Sequence, residues 1–215
     1  MFMPIRLPAL LAAARLSRCR RHRRMIKSAA AAELAPISEI NQSPRLGAKF
    51  YGWLFVAGFL TFILHEAAHW VAGVTLGYDM EARLNAVRAT TFVLPIHKAV
   101  IDSAGPLATI LQAVIAFAVV MRSRLNIAFA FVYMATFMRL LAAAISVINP
   151  NDEARLSLYF GFGKWALPMI VSMGLLVLVW KASRHLHLNW KEHLLCYLVA
   201  SVSISMVVGI DRFLF

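Results

Sequence analysis

The sequence predicts an all-α polytopic membrane protein with about five transmembrane helices. Of its 215 residues, 61% are hydrophobic and only 15% are charged, and the mean hydropathy is +0.71. Soluble domains contain much less apolar and much more charged sequence. Because a transmembrane helix needs about 20 mostly apolar residues, a chain of this length has room for roughly four to six of them.

The net charge of +12 is concentrated near the beginning of the chain, in the stretch ARLSRCRRHRRMIK. We interpret residues 1–48 as a basic leader and residues 49–215 as the membrane domain. Such a run could bind nucleic acid, but beside several spans it favours a positive-inside topology signal or contact with the lipid bilayer. We therefore expect no nucleic-acid partner. An organellar transit peptide and a translation start at Met25 remain open alternatives.

The apolar segments place the five spans in order along the chain. Their approximate bounds are Phe50–Gly73, Ala104–Met121, Asn126–Ile148, Trp165–Trp180 and Leu194–Ile210. Between the first two spans, the stretch ATTFVL (89–94) is rich in β-branched residues and predicts a short strand. A polar connection, NPNDEARLSLYFGFGK, follows the third span. The distribution of Lys and Arg favours a cytoplasmic N-terminus.

The first span contains two histidines and a glutamate in the motif HEAAH. His65 and His69 are four residues apart, so they project from one face of a helix and can reach one tetrahedral zinc ion. Glu66 lies beside them and can take the proton of metal-bound water as it attacks a carbonyl. Charged groups within a span cost about 2.5–3.5 kcal/mol. This cost favours a metal site over the alternative in which the three residues are ordinary polar groups near the interface.

A catalytic zinc needs a third protein ligand, and the sequence offers several candidates. Pro150 ends a helix and leaves polar backbone at membrane depth, which is tolerated inside protein or beside a water-filled cavity. This favours the region 149–152 as site-lining. Arg139 lies within a span and is interpreted as one partner of a structural ion pair. The candidates are Asp152, Glu153, Asp102, His97 and the group His185, His187 and His193, which is interpreted as an interfacial loop.

Three segments, in order, resemble the site-2 protease family of intramembrane zinc metalloproteases. HEAAHWVAGVTLGY is similar to the family's HExxH helix with a following glycine. SAGPLATILQ resembles the Gly-Pro segment that opens the next core helix. INPNDEARL resembles the Asn/Pro…Asp motif whose aspartate completes the zinc site. The resemblance covers residues 50–160 and implies a three-helix catalytic core there, with accessory helices over about residues 165–210.

The resemblance implies a Zn²⁺ cofactor bound by His65, His69 and Asp152, with Glu66 as general base. Glu153 is the alternative third ligand, because the family usually has Asp-Gly where this chain has Asp-Glu. The stretch between residues 78 and 102 would supply strands of a membrane-edge β-hairpin that hold the substrate extended. The residues implied to contact the substrate or to support the ligands are Asn149, Gly105 and Pro106.

The expected function is that of an intramembrane zinc metalloendopeptidase acting on a transmembrane or membrane-proximal segment of a protein substrate. The expected location is a bacterial inner membrane, with an organellar membrane as the alternative. Two other functions stay open. One is a different membrane metallohydrolase with Glu153 as ligand and a soluble or lipidated peptide as substrate. The other is a non-catalytic scaffold or transporter-like protein with a polar cavity.

Overall fold

The computed structural model describes residues 46–214, so the predicted leader lies outside the described residues except for its last three positions. The described part is mostly helical, and five of its helices are long and apolar enough to cross a membrane. The prediction of an all-α polytopic protein with five spans is therefore confirmed. The helices are α1 (Ala48–Thr75), α2 (Pro95–Ser123), α3 (Asn126–Ile145), α4 (Asp152–Tyr159), α5 (Ala166–His185) and α6 (Trp190–Leu214).

Two of the long helices begin earlier than their apolar runs do. Helix α2 starts at Pro95 rather than near Ala104, because proline is favoured in the first helical turn and the polar residues that follow do not prevent helix formation. Helix α6 starts at Trp190 rather than at Leu194. The N–H of Glu192 donates to Asn189 Oδ1 and the N–H of Asn189 donates to Glu192 Oε2, a reciprocal cap that fixes the start.

A two-stranded antiparallel hairpin connects α1 to α2. It consists of β1 (Met80–Ala82) and β2 (Val87–Ala89). The strand predicted over residues 89–94 is wrong except at its first residue. The Leu94 N–H donates to the Tyr78 hydroxyl, so the chain after β2 turns towards the start of α2 instead of continuing as a strand.

The polar connection after the third span contains a helix that the sequence analysis did not predict. Asn151 caps α4, since its Oδ1 accepts a hydrogen bond from the Ala154 N–H. Asp152 and Glu153 occupy the first turn, where negative charge is favoured by the helix dipole. The helix was missed because its eight residues carry no apolar period long enough to recognise.

Helices α1, α2 and α3 pack against one another, and α4 packs against α2 and α5. The buried residues of α1 follow a single stripe that repeats every three or four positions, as expected for one helix face. The stripe begins at Phe50 and continues through Phe62, His65, His69 and Gly73. The two histidines therefore point into the bundle, towards α2 and the beginning of α4.

Candidate metal centre

His65 and His69 bring two ring nitrogens together on the buried face of α1. Their Nε2 atoms are 3.1 Å apart, and the side chains are only 5% and 8% exposed. The four-residue spacing places one ring a helical turn above the other. The buried face of α1 thus presents two potential metal ligands at one point.

Asp152, the first residue of α4, completes a triangle with the two histidines. Its Oδ2 lies 3.1 Å from His65 Nε2 and 3.4 Å from His69 Nε2. The tight connection between α3 and α4 places the carboxylate there, because the Asn151 N–H donates to the Ser146 hydroxyl. Among the described residues, these three form a group whose ligand atoms could hold a metal ion.

The hydrogen bonds of the other ring nitrogens determine which Nε2 atoms carry lone pairs. His69 Nδ1 lies 2.6 Å from the Ile101 carbonyl oxygen, which can only accept, so we place a proton on Nδ1. His65 Nδ1 lies 3.1 Å from the Thr109 hydroxyl, whose own proton is donated to the Gly105 carbonyl. We therefore place a proton on that Nδ1 as well. In the neutral rings both Nε2 atoms are then acceptors, as metal ligands must be.

The dimensions of the triangle fit zinc. Tetrahedral ligands at the usual zinc distance of about 2.0–2.1 Å are about 3.3–3.4 Å apart, and the three edges here are 3.1, 3.1 and 3.4 Å. Two imidazoles and one carboxylate are a ligand set found in catalytic zinc sites, with one position left for water or substrate. The residues present therefore fit the group that the sequence implies.

Glu66 follows His65 on α1 and lines the same cavity as the three ligand atoms. It is half-buried, and within the described residues no hydrogen bond or ion pair engages its carboxylate. A carboxylate in this position is available to exchange a proton with a molecule in the cavity. Glu66 therefore lies beside the histidines, and its role as a general base stays a prediction.

Gly105 and Pro106 lie in α2 directly behind the histidines. A Cβ atom on Gly105 would meet His69 Nε2 and would lie 2.5 Å from His65 Cε1, so the imidazoles can pack here only against glycine. Pro106 has no N–H to donate to the Asp102 carbonyl four residues before it. Gly105 therefore supports the ligands by leaving room for them, and neither residue lines the cavity.

Glu153 does not join the triangle. One oxygen accepts a hydrogen bond from Arg139 Nη1 at 2.9 Å and the other accepts from Asn151 Nδ2 at 2.8 Å. Its side chain is 4% exposed and that of Arg139 is 3% exposed. The geometry therefore places Asp152 rather than Glu153 at the third corner of the triangle, and it gives Arg139 the ion-pair partner that the sequence analysis expected.

The other candidates lie away from the triangle. Asp102 binds Arg155, and His97 Nδ1 shares a hydrogen bond with the Tyr78 hydroxyl at 2.8 Å. His193 Nε2 pairs with the Ser183 hydroxyl, and the histidines around the α5–α6 turn form no metal-binding group in the described part of the chain. Only His187 lies in the connection, because His185 is the last residue of α5 and His193 lies in the first turn of α6; the interpretation of all three as a loop is wrong for these two.

A cavity of about 880 Å³ opens beside the triangle. Its walls come from α1, from the hairpin and the residues after it, from the beginnings of α2 and α4, and from the last parts of α3 and α6. Asn149, which the resemblance implied either contacts the substrate or supports the ligands, is exposed and lines this cavity together with Pro150 and Asp152. Cavities that bind small molecules and peptides measure about 300–1,000 Å³, so a short peptide segment has room beside the ligand atoms.

A positive charge within the triangle keeps Asp152 ionised. Burial by itself would raise the pKa of Asp152, but when one of the two imidazoles carries a second proton, its hydrogen bond and positive charge outweigh burial and hold the pKa well below its usual range. A cation at the centre of the triangle, either a proton or a metal ion, acts in this direction. A carboxylate that stays ionised is the form that binds metal.

Sequence reasoning missed two residues around the site. Thr109 accepts the His65 proton from α2, and Arg155 binds both Asp102 and Asp152 from α4. The only sequence signal for Arg155 was its position three residues after an acidic residue, which matters only once α4 is known to be a helix.

Comparison of the chain with protein-family models, with curated proteins and with solved structures finds no match.

Proposed function

We propose that the protein is an intramembrane zinc endopeptidase that hydrolyses a peptide bond in or near a transmembrane segment of another membrane protein. One observation carries the proposal. Three ligand atoms from His65, His69 and Asp152 turn their lone pairs towards a common point, and Glu66 lies beside that point. The five apolar helices make the protein multi-pass, and we expect it in a bacterial inner membrane, with an organellar membrane as the alternative.

The convergence of three acceptors favours a bound cation. Two neutral imidazole nitrogens and a carboxylate oxygen within 3.4 Å repel one another unless positive charge lies between them. One proton joins two of these atoms, whereas a zinc ion satisfies all three. When bound, zinc would supply Lewis acidity towards a carbonyl oxygen and towards water.

Glu66 has the position and the freedom that a general base needs. It is next to a ligand in sequence, it lines the cavity, and its carboxylate has no competing partner among the described residues. In the proposed reaction it takes a proton from the attacking water and passes it to the leaving amine. His65 and His69 are held by Thr109 and Ile101, so their rings keep one orientation throughout.

The depth of the triangle favours a reaction within the bilayer. Helix α1 has 28 residues, or about 42 Å at 1.5 Å per residue, which exceeds the roughly 30 Å hydrocarbon core. His65 is ten residues from the end of α1 at Thr75, about 15 Å along the axis. A site this far from the helix end lies below the headgroups when the helix crosses the bilayer.

The open edge of β2 supports an extended peptide as substrate. The Arg83 N–H bonds the Ala86 carbonyl and the Thr90 N–H bonds the Asp79 carbonyl, so hydrogen bonds to β1 alternate along the ladder. The backbone groups of Val87 and Ala89 therefore point away from β1, and both residues line the cavity. A peptide unwound from a helix could pair with this edge and recover hydrogen bonds that the bilayer cannot supply.

The proposal is tested by comparing the wild type with Glu66→Gln in membranes that contain candidate substrates. We expect the variant to keep its zinc, because Glu66 is not a ligand, and to lose cleavage. Sequencing of new protein N-termini should find cuts within transmembrane segments for the wild type and none for Glu66→Gln. The same cuts with both proteins would remove Glu66 from the mechanism.

The third ligand is tested separately. Asp152→Ala should lose zinc, because it removes one corner of the triangle, whereas Glu153→Ala should retain zinc at some cost in stability. Elemental analysis of the two purified variants distinguishes them. Zinc retained by Asp152→Ala and lost by Glu153→Ala would make Glu153 the ligand.

A further inference from the structure

The guanidinium of Arg155 joins two carboxylates from different helices. Its Nη2 donates to Asp152 Oδ1 at 2.5 Å, and Nε and Nη2 donate to the two oxygens of Asp102 at 3.0 and 3.1 Å. Its Nη1 donates to the Pro150 carbonyl at 3.0 Å. Every nitrogen of the planar fork is thus engaged, which fixes the orientation of the guanidinium.

This arrangement gives the two oxygens of Asp152 different partners. Oδ1 is held by Arg155, while Oδ2 faces His65 and His69. The carboxylate cannot rotate without breaking its bond to the guanidinium. It is therefore fixed with a single oxygen turned towards the triangle.

Asp102 prevents Arg155 from moving away. A long arginine side chain three residues from Asp152 on α4 has many conformations of similar energy. Asp102 lies on α2 and is 6% exposed, and it binds the guanidinium through both of its oxygens, an interaction stronger than a single contact. Helix α2 thus holds the third ligand in place through Arg155, and it also contacts the two histidines.

We infer that Arg155 and Asp102 are positioning residues that hold Asp152 as a one-oxygen metal ligand. The inference rests on the proposed function, since it assumes that the triangle binds zinc. A one-oxygen carboxylate leaves the fourth position of a tetrahedral site open, whereas a two-oxygen carboxylate would occupy it. The Asp102–Arg155 pair therefore preserves the position that water or a substrate carbonyl needs.

The direction of the change in zinc affinity distinguishes positioning from simple electrostatics. If Arg155 acted only as a nearby positive charge, Arg155→Gln would tighten zinc binding, because it removes repulsion between two cations. If Arg155 positions Asp152, the same change weakens zinc binding by about 10–100-fold, the usual effect of removing a residue that orients a metal ligand. The two roles predict opposite signs.

The experiment measures zinc affinity by competition with a chromophoric chelator, on full-length protein in detergent. Arg155→Gln and Asp102→Asn should each weaken binding, and the double variant should be no weaker than Arg155→Gln, because Asp102 acts through Arg155. Lys98→Gln is the matched control. Lys98 also pairs with Asp102, at 3.4 Å, but its side chain is 55% exposed, so its loss should leave the affinity unchanged.

Cobalt substitution supplies a second readout that folding alone does not change. Four-coordinate Co²⁺ absorbs visible light more strongly than five- or six-coordinate Co²⁺. If Arg155→Gln frees Asp152 to bind through both oxygens, the absorption per bound Co²⁺ should fall. The thermal transition of the variant in detergent checks that it is folded. Unchanged or tighter zinc binding in Arg155→Gln, with an unchanged cobalt spectrum, would overturn the inference. Absence of zinc from the wild type would instead overturn the proposed function.

Discussion

Gly105→Ala is the substitution whose effect on the metal centre follows most directly from the geometry. The added Cβ would lie 2.5 Å from His65 Cε1 and 2.8 Å from His65 Nδ1, whereas ordinary van der Waals contact begins at 3.4 Å. The imidazole must therefore move by roughly 0.9 Å to restore contact distance. His69 Nε2 meets the same methyl group, so both histidines have to shift.

A displacement of that size exceeds what a zinc site accepts. Metal–ligand distances vary by only about ±0.2 Å between well-formed sites. A shift of the two rings would also strain their hydrogen bonds to Thr109 and Ile101. We therefore expect Gly105→Ala to weaken zinc binding on the order of 10–100-fold, with an overpacking cost in unfolding free energy of about 1–3 kcal/mol.

The assay compares zinc affinity and thermal stability of Gly105→Ala with those of Gly52→Ala. Gly52 lies in α1, the helix that carries the histidines, and a Cβ there meets nothing within 4 Å. Its replacement should leave the zinc affinity unchanged and should stabilise the helix by about 0.5–1 kcal/mol. Zinc binding by Gly105→Ala at wild-type affinity would refute the placement of the histidine rings against α2.

Three further predictions concern single groups around the site. Thr109→Val keeps the shape of the side chain but removes the acceptor for His65 Nδ1–H. It should weaken zinc binding by about 10–100-fold in a chelator titration. An unchanged zinc affinity would show that this hydrogen bond does not orient the ring. Ala89→Pro removes an N–H on the open edge of β2 and should reduce cleavage of a transmembrane substrate without loss of zinc; full activity would exclude pairing at that edge. Arg139→Met should lower the free energy of unfolding by about 3–5 kcal/mol, because the Glu153 carboxylate is left buried without its ion-pair partner. Adding Glu153→Met should recover most of that loss. Equal stability of Arg139→Met and the wild type would show that the ion pair is not needed.

The features that could be predicted from the sequence are those with a regular period or a short motif. The apolar stripe of α1 and the spacing of His65 and His69 determine which face is buried and where the ligand atoms point. Asp152 and Glu153 could both be named as candidates because they follow the third apolar segment, and the family resemblance implied Asp152. These features are local, so the residues themselves contain the necessary information.

The features that could not be predicted depend on contacts between distant parts of the chain. The start of α2 at Pro95 and the turn after Ala89 both involve the Tyr78 hydroxyl, which bonds to Leu94 N–H and to His97. The partner of Arg155 is 53 positions away in the sequence. No periodicity encodes such contacts, because they arise only when the helices pack.

The central claim is that HEAAH and Asp152 form a zinc site, and zinc per chain tests it most directly. The measurement is elemental analysis of wild type and His69→Ala, purified in detergent without chelators and compared before and after zinc is added back. The proposed function predicts about one zinc per chain in the wild type and none in His69→Ala. No zinc in the wild type after zinc is added back would contradict it and would leave His65, Glu66 and His69 as structural polar groups.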